Sequence, residues 1–231
     1  MINKSLIKKR FERSMNTYND NALIQKKMAK KLINLLPRTE FDSIFEIGCA
    51  TGILTKEILK NIKFKNYTAN DIVEKSKEYI DKIIPQNTFI EGDIEKIYIN
   101  QKYDLIIANA VIQWCENPQK TIEKLFSFLN PNGVIAVSIF ANDNLKELQT
   151  TLNLKSSLKT NLNGITEEYR LLFDSPMDVL KHIKLTGANA LTEYKFTKNS
   201  LKIFEEKYKT LYSENGKVCL TYKPLYIISV K

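Results

Sequence analysis

What most restricts this 231-residue chain is a beat of short apolar runs, each stopped by a small or acidic residue and most followed by a helical stripe. Residues 43–47 read as a strand that halts at Gly48, and 52–61 read as a helix. Residues 67–70 form a second strand closed by Asp71, with 74–83 helical behind it, and 88–91 form a third. The fourth, 104–108, is apolar throughout, which predicts burial on both faces. A helix over 118–129 and a strand over 133–140 follow. Strands alternating with helices at this spacing predict a parallel sheet covered on both sides.

The ends break the beat. Residues 4–15 carry a loose helical stripe, and Asn19-Asp20-Asn21 can cap a second helix bearing Leu23, Ile24, Met28, Leu32, Leu35 and Leu36 up to Pro37. Residues 142–190 read as mainly helical, 199–213 as another helix, and 218–222 with 225–230 as a closing antiparallel hairpin around Lys223-Pro224. The expectation is one α/β domain over 1–231, doubly wound, mostly parallel and Rossmann-like. It carries helical additions at 1–37 and 142–213.

Composition removes several classes of function. Cys49, Cys115 and Cys219 are odd in number and far apart, and His182 is the single histidine. A disulfide framework, a metal site and a His-based triad are therefore not expected. No apolar run approaches the roughly 20 residues that span a bilayer, and the opening residues lack a signal-peptide core. A cytoplasmic protein in a reducing compartment, monomeric and away from membranes, is expected. The formal charge is +9, from 35 basic and 26 acidic residues, which favours acidic partners. Arginine is confined to Arg10, Arg13, Arg38 and Arg170.

The stretch Phe45-Glu46-Ile47-Gly48-Cys49-Ala50-Thr51-Gly52 is the most informative. A glycine turn between strand and helix lets the backbone approach a ligand. A dinucleotide fingerprint wants glycine at 48, 50 and 53, and Ala50 and Ile53 stand at two of those places. Glu46 is expected to face a cationic or donor-rich group, and Asp71 to accept a ribose's two hydroxyls. Asp93 is expected on an adenine amino group with Ile94 against the ring, and Asn109 ends the fourth strand. Four polar strand ends in order point to a nucleoside-type ligand.

With these residues the chain resembles the class I S-adenosylmethionine-dependent methyltransferases, whose first motif is matched by Glu46, Gly48, Ala50 and Gly52. Ala50 departs from the middle glycine, so the turn there is expected to avoid a left-handed backbone. The resemblance implies that Gly48 and Gly52 shape the methionine turn, Asp71 holds the ribose, and Asp93 and Ile94 hold adenine. Gln25, Glu46, Cys49, Ala50, Ile72 and Asn109 complete the expected cofactor set.

A tighter resemblance is to the malonyl-acyl carrier protein O-methyltransferases of biotin synthesis. It rests on Phe11-Glu12-Arg13, Thr17-Tyr18-Asn19, Gly92-Asp93-Ile94-Glu95, Gln113-Trp114-Cys115, Pro131-Asn132-Gly133-Val134, Lys184 to Ala188 and Leu220-Thr221-Tyr222. It implies methyl transfer from S-adenosylmethionine to the free carboxylate of a malonyl group on acyl carrier protein. A carboxylate with a reference pKa near ~4 is already ionised at neutral pH, so no general base is required. Alignment is expected from Tyr18, Gln113 and Trp114 rather than from any catalytic acid or base. Tyr18, Trp114, Arg13 and Arg170 are expected to bind substrate, residues 1–37 to form a lid, and rim cations to steer an acidic carrier. Trans-aconitate methyltransferases share a Gln-Trp in this region and are the alternative. A nucleic-acid methyltransferase is disfavoured, because Asn109-Ala110-Val111-Ile112 lacks the prolines and final aromatic that clamp a flipped base. A cofactor-binding protein without catalysis is the non-enzymatic rival.

Overall fold

The computed structural model describes residues 3–154, 162–186 and 196–231. Two helices come first, α1 (Lys4–Asn21) and α2 (Leu23–Asn34). The expected beat follows as β1 (Glu40–Ile47), α3 (Ile53–Asn61), β2 (Lys63–Asp71), α4 (Ser76–Ile83), β3 (Thr88–Glu91), β4 (Tyr103–Asn109), α5 (Pro118–Ser127) and β5 (Leu129–Phe140). The remainder is α6 (Lys146–Thr151), β6 (Ile165–Thr166), β7 (Tyr169–Phe173), α7 (Pro176–Leu185), α8 (Lys198–Tyr212), β8 (Ser213–Glu214), β9 (Lys217–Tyr222) and β10 (Pro224–Val230).

The main sheet has the order β3-β2-β1-β4-β5-β10-β6, parallel through β5 and antiparallel at β10. This is the expected doubly wound, mostly parallel arrangement. The chain winds outward from β1 to β3 and then returns to place β4 on the other side of β1. The strand order thus reverses there, and the sheet opens a crevice beyond the carboxyl ends of these two strands. β4 is buried on both faces: Leu105 and Ile107 join the core under α2 and α3, while Ile106 and Ala108 join the one under α5. Local chemistry starts the flanking helices, with Asn117 capping α5 ahead of Pro118, and Ser175 capping α7 ahead of Pro176.

Asn19, Asp20 and Asn21 continue α1 instead of capping α2, which starts from Ala22 with no side-chain cap. Three further stretches differ from the expectation. β2 begins at Lys63 rather than Tyr67, because Phe64 is the one apolar side chain among its first four residues and leaves no apolar run to read. Its start pairs in parallel register with β1 from Glu40 onward, and Lys63 meets Glu40 at 2.6 Å and Lys65 meets Asp42 at 3.0 Å across the two strands. The 142–190 stretch is not mainly helical where it is described. It contains β6 and β7, and the alternation of Tyr169, Leu171 and Phe173 puts those three on the packed side of β7. Its parts at 155–161 and 187–190, including Gly187 and Ala188, lie outside the described residues.

The last difference concerns the closing hairpin. β9 and β10 do not pair with each other: β9 joins β7 and β8 in a separate three-stranded antiparallel sheet, and β10 enters the main sheet between β5 and β6. A residue before proline is held extended, so Lys223 carries the chain straight from one sheet to the next instead of reversing it. Its N–H donates to Asn144 Oδ1 at 2.9 Å, and its carbonyl accepts from the Ala141 N–H at 2.8 Å.

The small sheet is fastened to α6 by a buried carboxylate. Glu147 accepts the Thr221 N–H at 2.9 Å and the Thr221 hydroxyl at 2.5 Å. Glu147→Ala strands both donors inside the protein, and about 2–3 kcal/mol of stability should be lost in urea unfolding.

Candidate functional site

The loop after β1 is built by donors from its own backbone. The Gly48 and Cys49 N–H groups both donate to the Asn70 carbonyl at the end of β2, at 2.8 and 3.0 Å. The Ala50 N–H donates to Asp71 Oδ2 at 2.8 Å, and the Val73 N–H to Asp71 Oδ1 at 2.8 Å. One side chain therefore ties the two loops together. Gly48 has φ +67°, and a Cβ there would lie 2.3 Å from Val111 Cγ2, so only glycine lets the turn sit against the end of β4. Ala50 overturns its expectation: it is left-handed, with φ +46°. The conformation costs an alanine roughly 1 kcal/mol, and the hydrogen bond to Asp71 holds it there. Ala110, just past β4, is also left-handed at φ +54°, and Gln113 braces it by donating from Nε2 to its carbonyl at 2.7 Å.

These loops floor a cleft of about 820 Å³, counting open solvent at its mouth. α1 roofs it with Ile7, Phe11, Met15 and Tyr18. The floor is Gly48, Ala50 and Thr51, the β2 end adds Asp71, Ile72 and Val73, and the β3 end adds Gly92, Asp93 and Ile94. Asn109, Ala110, Val111 and Trp114 close the far wall. α1 is clasped along its length. Lys4 pairs with Asp93 at 3.2 Å and Glu95 at 2.7 Å, Lys8 pairs with Glu91 at 2.9 Å, and Asn19 Oδ1 accepts from the Thr51 hydroxyl at 2.7 Å. Two carboxylates, Asp71 and Asp93, thus face the cleft against one ammonium already held by Asp93 and Glu95. That lining suits a cationic nucleoside and repels a pyrophosphate.

A family pattern described as a methyltransferase domain matches residues 21–194. A malonyl-[acyl-carrier protein] O-methyltransferase of Calditerrivibrio nitroreducens is 37% identical over 97% of this chain and 96% of the relative. One of Haemophilus influenzae is 32% identical over 99% of this chain and 95% of the relative. The chain belongs to the malonyl-[acyl-carrier protein] O-methyltransferase family. Solved structures share the fold at lower identity. The YcgJ protein of Bacillus subtilis aligns with a TM-score of 0.59 at 14% identity, over 89% of this chain and 98% of that one. The N-methyltransferase NodS of Bradyrhizobium japonicum, crystallised with S-adenosyl-L-homocysteine, aligns at 0.53 and 14%, over 95% of this chain and 97% of that one.

Within this methyltransferase fold, several expected site residues lie off the cleft. Glu46 points away from it, because strand alternation puts it on the face of Ile44, between the sheet and α3. There Glu46 Oε2 accepts the Tyr67 hydroxyl and, at 2.9 Å, the Thr55 hydroxyl. Cys49, Gly52, Gln25 and Gln113 also stand behind the lining. Gln25 meets the site through its backbone, its carbonyl accepting from Asn109 Nδ2 at 3.0 Å while Asn109 Oδ1 accepts the Ser138 hydroxyl at 2.6 Å. Trp114 lines the cleft but on the Asp93 side, edge-on to Phe11 with ring centroids 5.2 Å apart.

The arginines separate. Arg170 is paired with Glu214 at 2.6 Å in the small sheet, and Arg38 lies over Phe41 and donates to the Asn132 carbonyl at 3.2 Å. Neither lines the cleft, whereas Arg13 is exposed on α1. The structure adds Lys4, Thr51, Val73 and Val111 to the lining. Of these, Thr51 lies in the glycine-turn stretch and Val111 in the Asn109-Ala110-Val111 run, while Lys4 and Val73 had no signal.

Burial raises the Glu46 pKa to about 7, against the opposing hydrogen bonds from Tyr67 and Thr55. As pH rises from about 4.5 to 7 the unfolded chain releases this proton while the folded one keeps it, so the native state loses stability over that window. Glu46→Gln should remove the loss. Its unfolding free energy relative to wild type should climb between those pH values by at most about 3 kcal/mol and level off above pH 7, as read from denaturant midpoints.

Proposed function

We propose that this chain transfers a methyl group from S-adenosylmethionine to the free carboxylate of malonyl-acyl carrier protein, releasing the methyl ester, in the cytoplasm. Its relatives' names support the substrate, and its three free, buried cysteines suit a reducing compartment. The observation that carries the reading is the charge of the cleft: carboxylates at the β2 and β3 ends, and no unpaired cation among the described lining residues.

When bound, S-adenosylmethionine supplies a methyl carbon made electrophilic by the adjoining sulfonium. Asp71, already oriented by two backbone N–H groups, is assigned to the ribose hydroxyls, with Ile72 beside it. Asp93 and Ile94 are assigned to adenine, with Trp114 and Phe11 closing that end. Gly48 and Ala50 give the amino-acid portion a floor without long side chains. Glu46 acts beneath that floor, holding β1 to α3 and β2 through Thr55 and Tyr67.

Tyr18 is the residue best suited to orient the acceptor. Its hydroxyl has no hydrogen-bond partner among the described residues, and it lines the cleft. Burial, with Asp71 nearby, drives its pKa far upward, so the hydroxyl keeps its proton and remains a donor. A neutral donor fits the reaction. The carboxylate and the sulfonium both lose charge as the methyl passes, so a cation clamped on the carboxylate would stabilise the starting state more than the transition state.

The direct test incubates the protein with S-adenosylmethionine and malonyl-acyl carrier protein and reads the intact mass of the carrier. A gain of one methyl ester is expected; cofactor binding with no mass gain under saturating conditions overturns the reading. Tyr18→Phe should lower kcat about tenfold, near 1.4 kcal/mol, while calorimetric affinity for S-adenosylmethionine stays within about twofold. Asp71→Ala should do the reverse, weakening cofactor binding far more than carrier binding.

A further inference from the structure

We infer that the acyl carrier protein docks on the seam between α1 and α7, gripped by Lys9 and Arg13 on one helix and Lys181 and Lys184 on the other. This rests on the reading above that the substrate is carrier-borne, and it adds where the carrier sits.

The seam is fixed by a hydrogen bond from the Thr17 hydroxyl to the Leu185 carbonyl, 3.1 Å, at the last turn of α7. Arg13 lies one turn before Thr17 on the same flank of α1, and Lys9 one turn before Arg13. Lys181 and Lys184 occupy the last turn and a half of α7, next to Leu185. All four are exposed, and none makes an ion pair among the described residues. Several other cations near the cleft or the small sheet are already neutralised. Lys4 is held by Asp93 and Glu95, Lys8 by Glu91, Lys31 by Glu167, and Arg170 by Glu214. Of the acids on these two helices, Glu12 lies one turn beyond Lys9 and faces Lys8, and Asp178 is tied to Ser175 in the cap of α7, so cations outnumber free acids along the seam. Asp20 stands two turns beyond Arg13. The seam is therefore a cationic strip matched to an acidic partner.

Its position suits delivery. Tyr18 follows Thr17 in the chain and lines the cleft, so the strip runs beside the wall assigned to the acceptor. α7 is held to that wall from behind, where His182 shares a 2.8 Å hydrogen bond with the buried Tyr222 hydroxyl. A carrier resting on the strip can extend its thioester-linked malonyl group past Tyr18 without entering the cleft itself. Electrostatic capture of this kind speeds association and weakens with salt.

The test is fluorescence anisotropy of labelled malonyl-acyl carrier protein titrated with the full chain at two salt concentrations, alongside steady-state kinetics. The double variant Arg13→Glu/Lys184→Glu is compared with Lys56→Glu/Lys60→Glu, an equal charge reversal on the exposed side of α3. The seam variant should raise the carrier Kd and KM at least about tenfold, leave kcat and the calorimetric affinity for S-adenosylmethionine within about twofold, and lose most of its salt dependence. The α3 variant should match wild type. Carrier affinity unchanged in the seam variant, equal losses in the α3 variant, or no carrier binding by wild type would each overturn the docking site. Carrier bound at the seam but never esterified would leave the docking site standing and overturn the proposed reaction instead.

Discussion

Asp71 is the piece on which the cleft depends. Both of its oxygens are taken by backbone donors from different loops, Ala50 from the turn after β1 and Val73 from the turn after β2. Burial pushes its pKa up, and those same N–H groups oppose the push by favouring the charged form. The carboxylate is thereby held in one orientation before any ligand arrives, which lowers the cost of binding one. It also explains how an alanine keeps a left-handed backbone at position 50. The Ala50 hydrogen bond thus works against both the strain of that residue and part of the desolvation of that acid.

Strand ends were legible because a parallel sheet buried on both faces leaves an apolar run, and each such run stops where the ligand crevice begins. Asp71, Asp93, Ile94 and Asn109 could be placed on the cleft from that rule, and Ile72 from the family resemblance. Glu46 could not. Its neighbours in the motif line the cleft, but the two-residue period of a strand turns it inward to Thr55 and Tyr67. A motif preserves spacing along the chain and says nothing of which face a given residue takes. The left-handed alanines were hidden for a related reason: a backbone angle held by a distant carboxylate or by Gln113 leaves no local trace. The pairing of the last two strands was misjudged because alternation marks a strand without naming its partner, and Pro224 tips the choice through the residue before it.

The roof of the cleft came from the part of the chain with the weakest sequence pattern. α1 has many polar residues, and its inward stripe of Ile7, Phe11 and Met15 packs on little besides Trp114 and the cleft. Its attachment is mostly polar, through Lys4, Lys8, Thr17 and Asn19. Partly exposed ion pairs of this sort contribute little to stability each, so the helix is held in register without being locked to the core. A ligand must enter and leave beneath it, and such an attachment allows that.

The charge of the molecule also divides by place. A net +9 surface encloses a cleft whose free charge is negative. The two signs serve opposite needs: a cationic nucleoside is favoured inside, and an acidic protein is favoured outside. The lysine that does reach the cleft, Lys4, is drawn to the β3 end by Asp93 and Glu95, away from Tyr18 and Asp71 at the other end of α1. A reaction that cancels a positive and a negative charge is slowed by any strong field that prefers the separated pair. On the proposed reading, keeping cations away from the acceptor end, with a protonated tyrosine as its donor, leaves the methyl's destination oriented and its charge uncompensated until the bond forms.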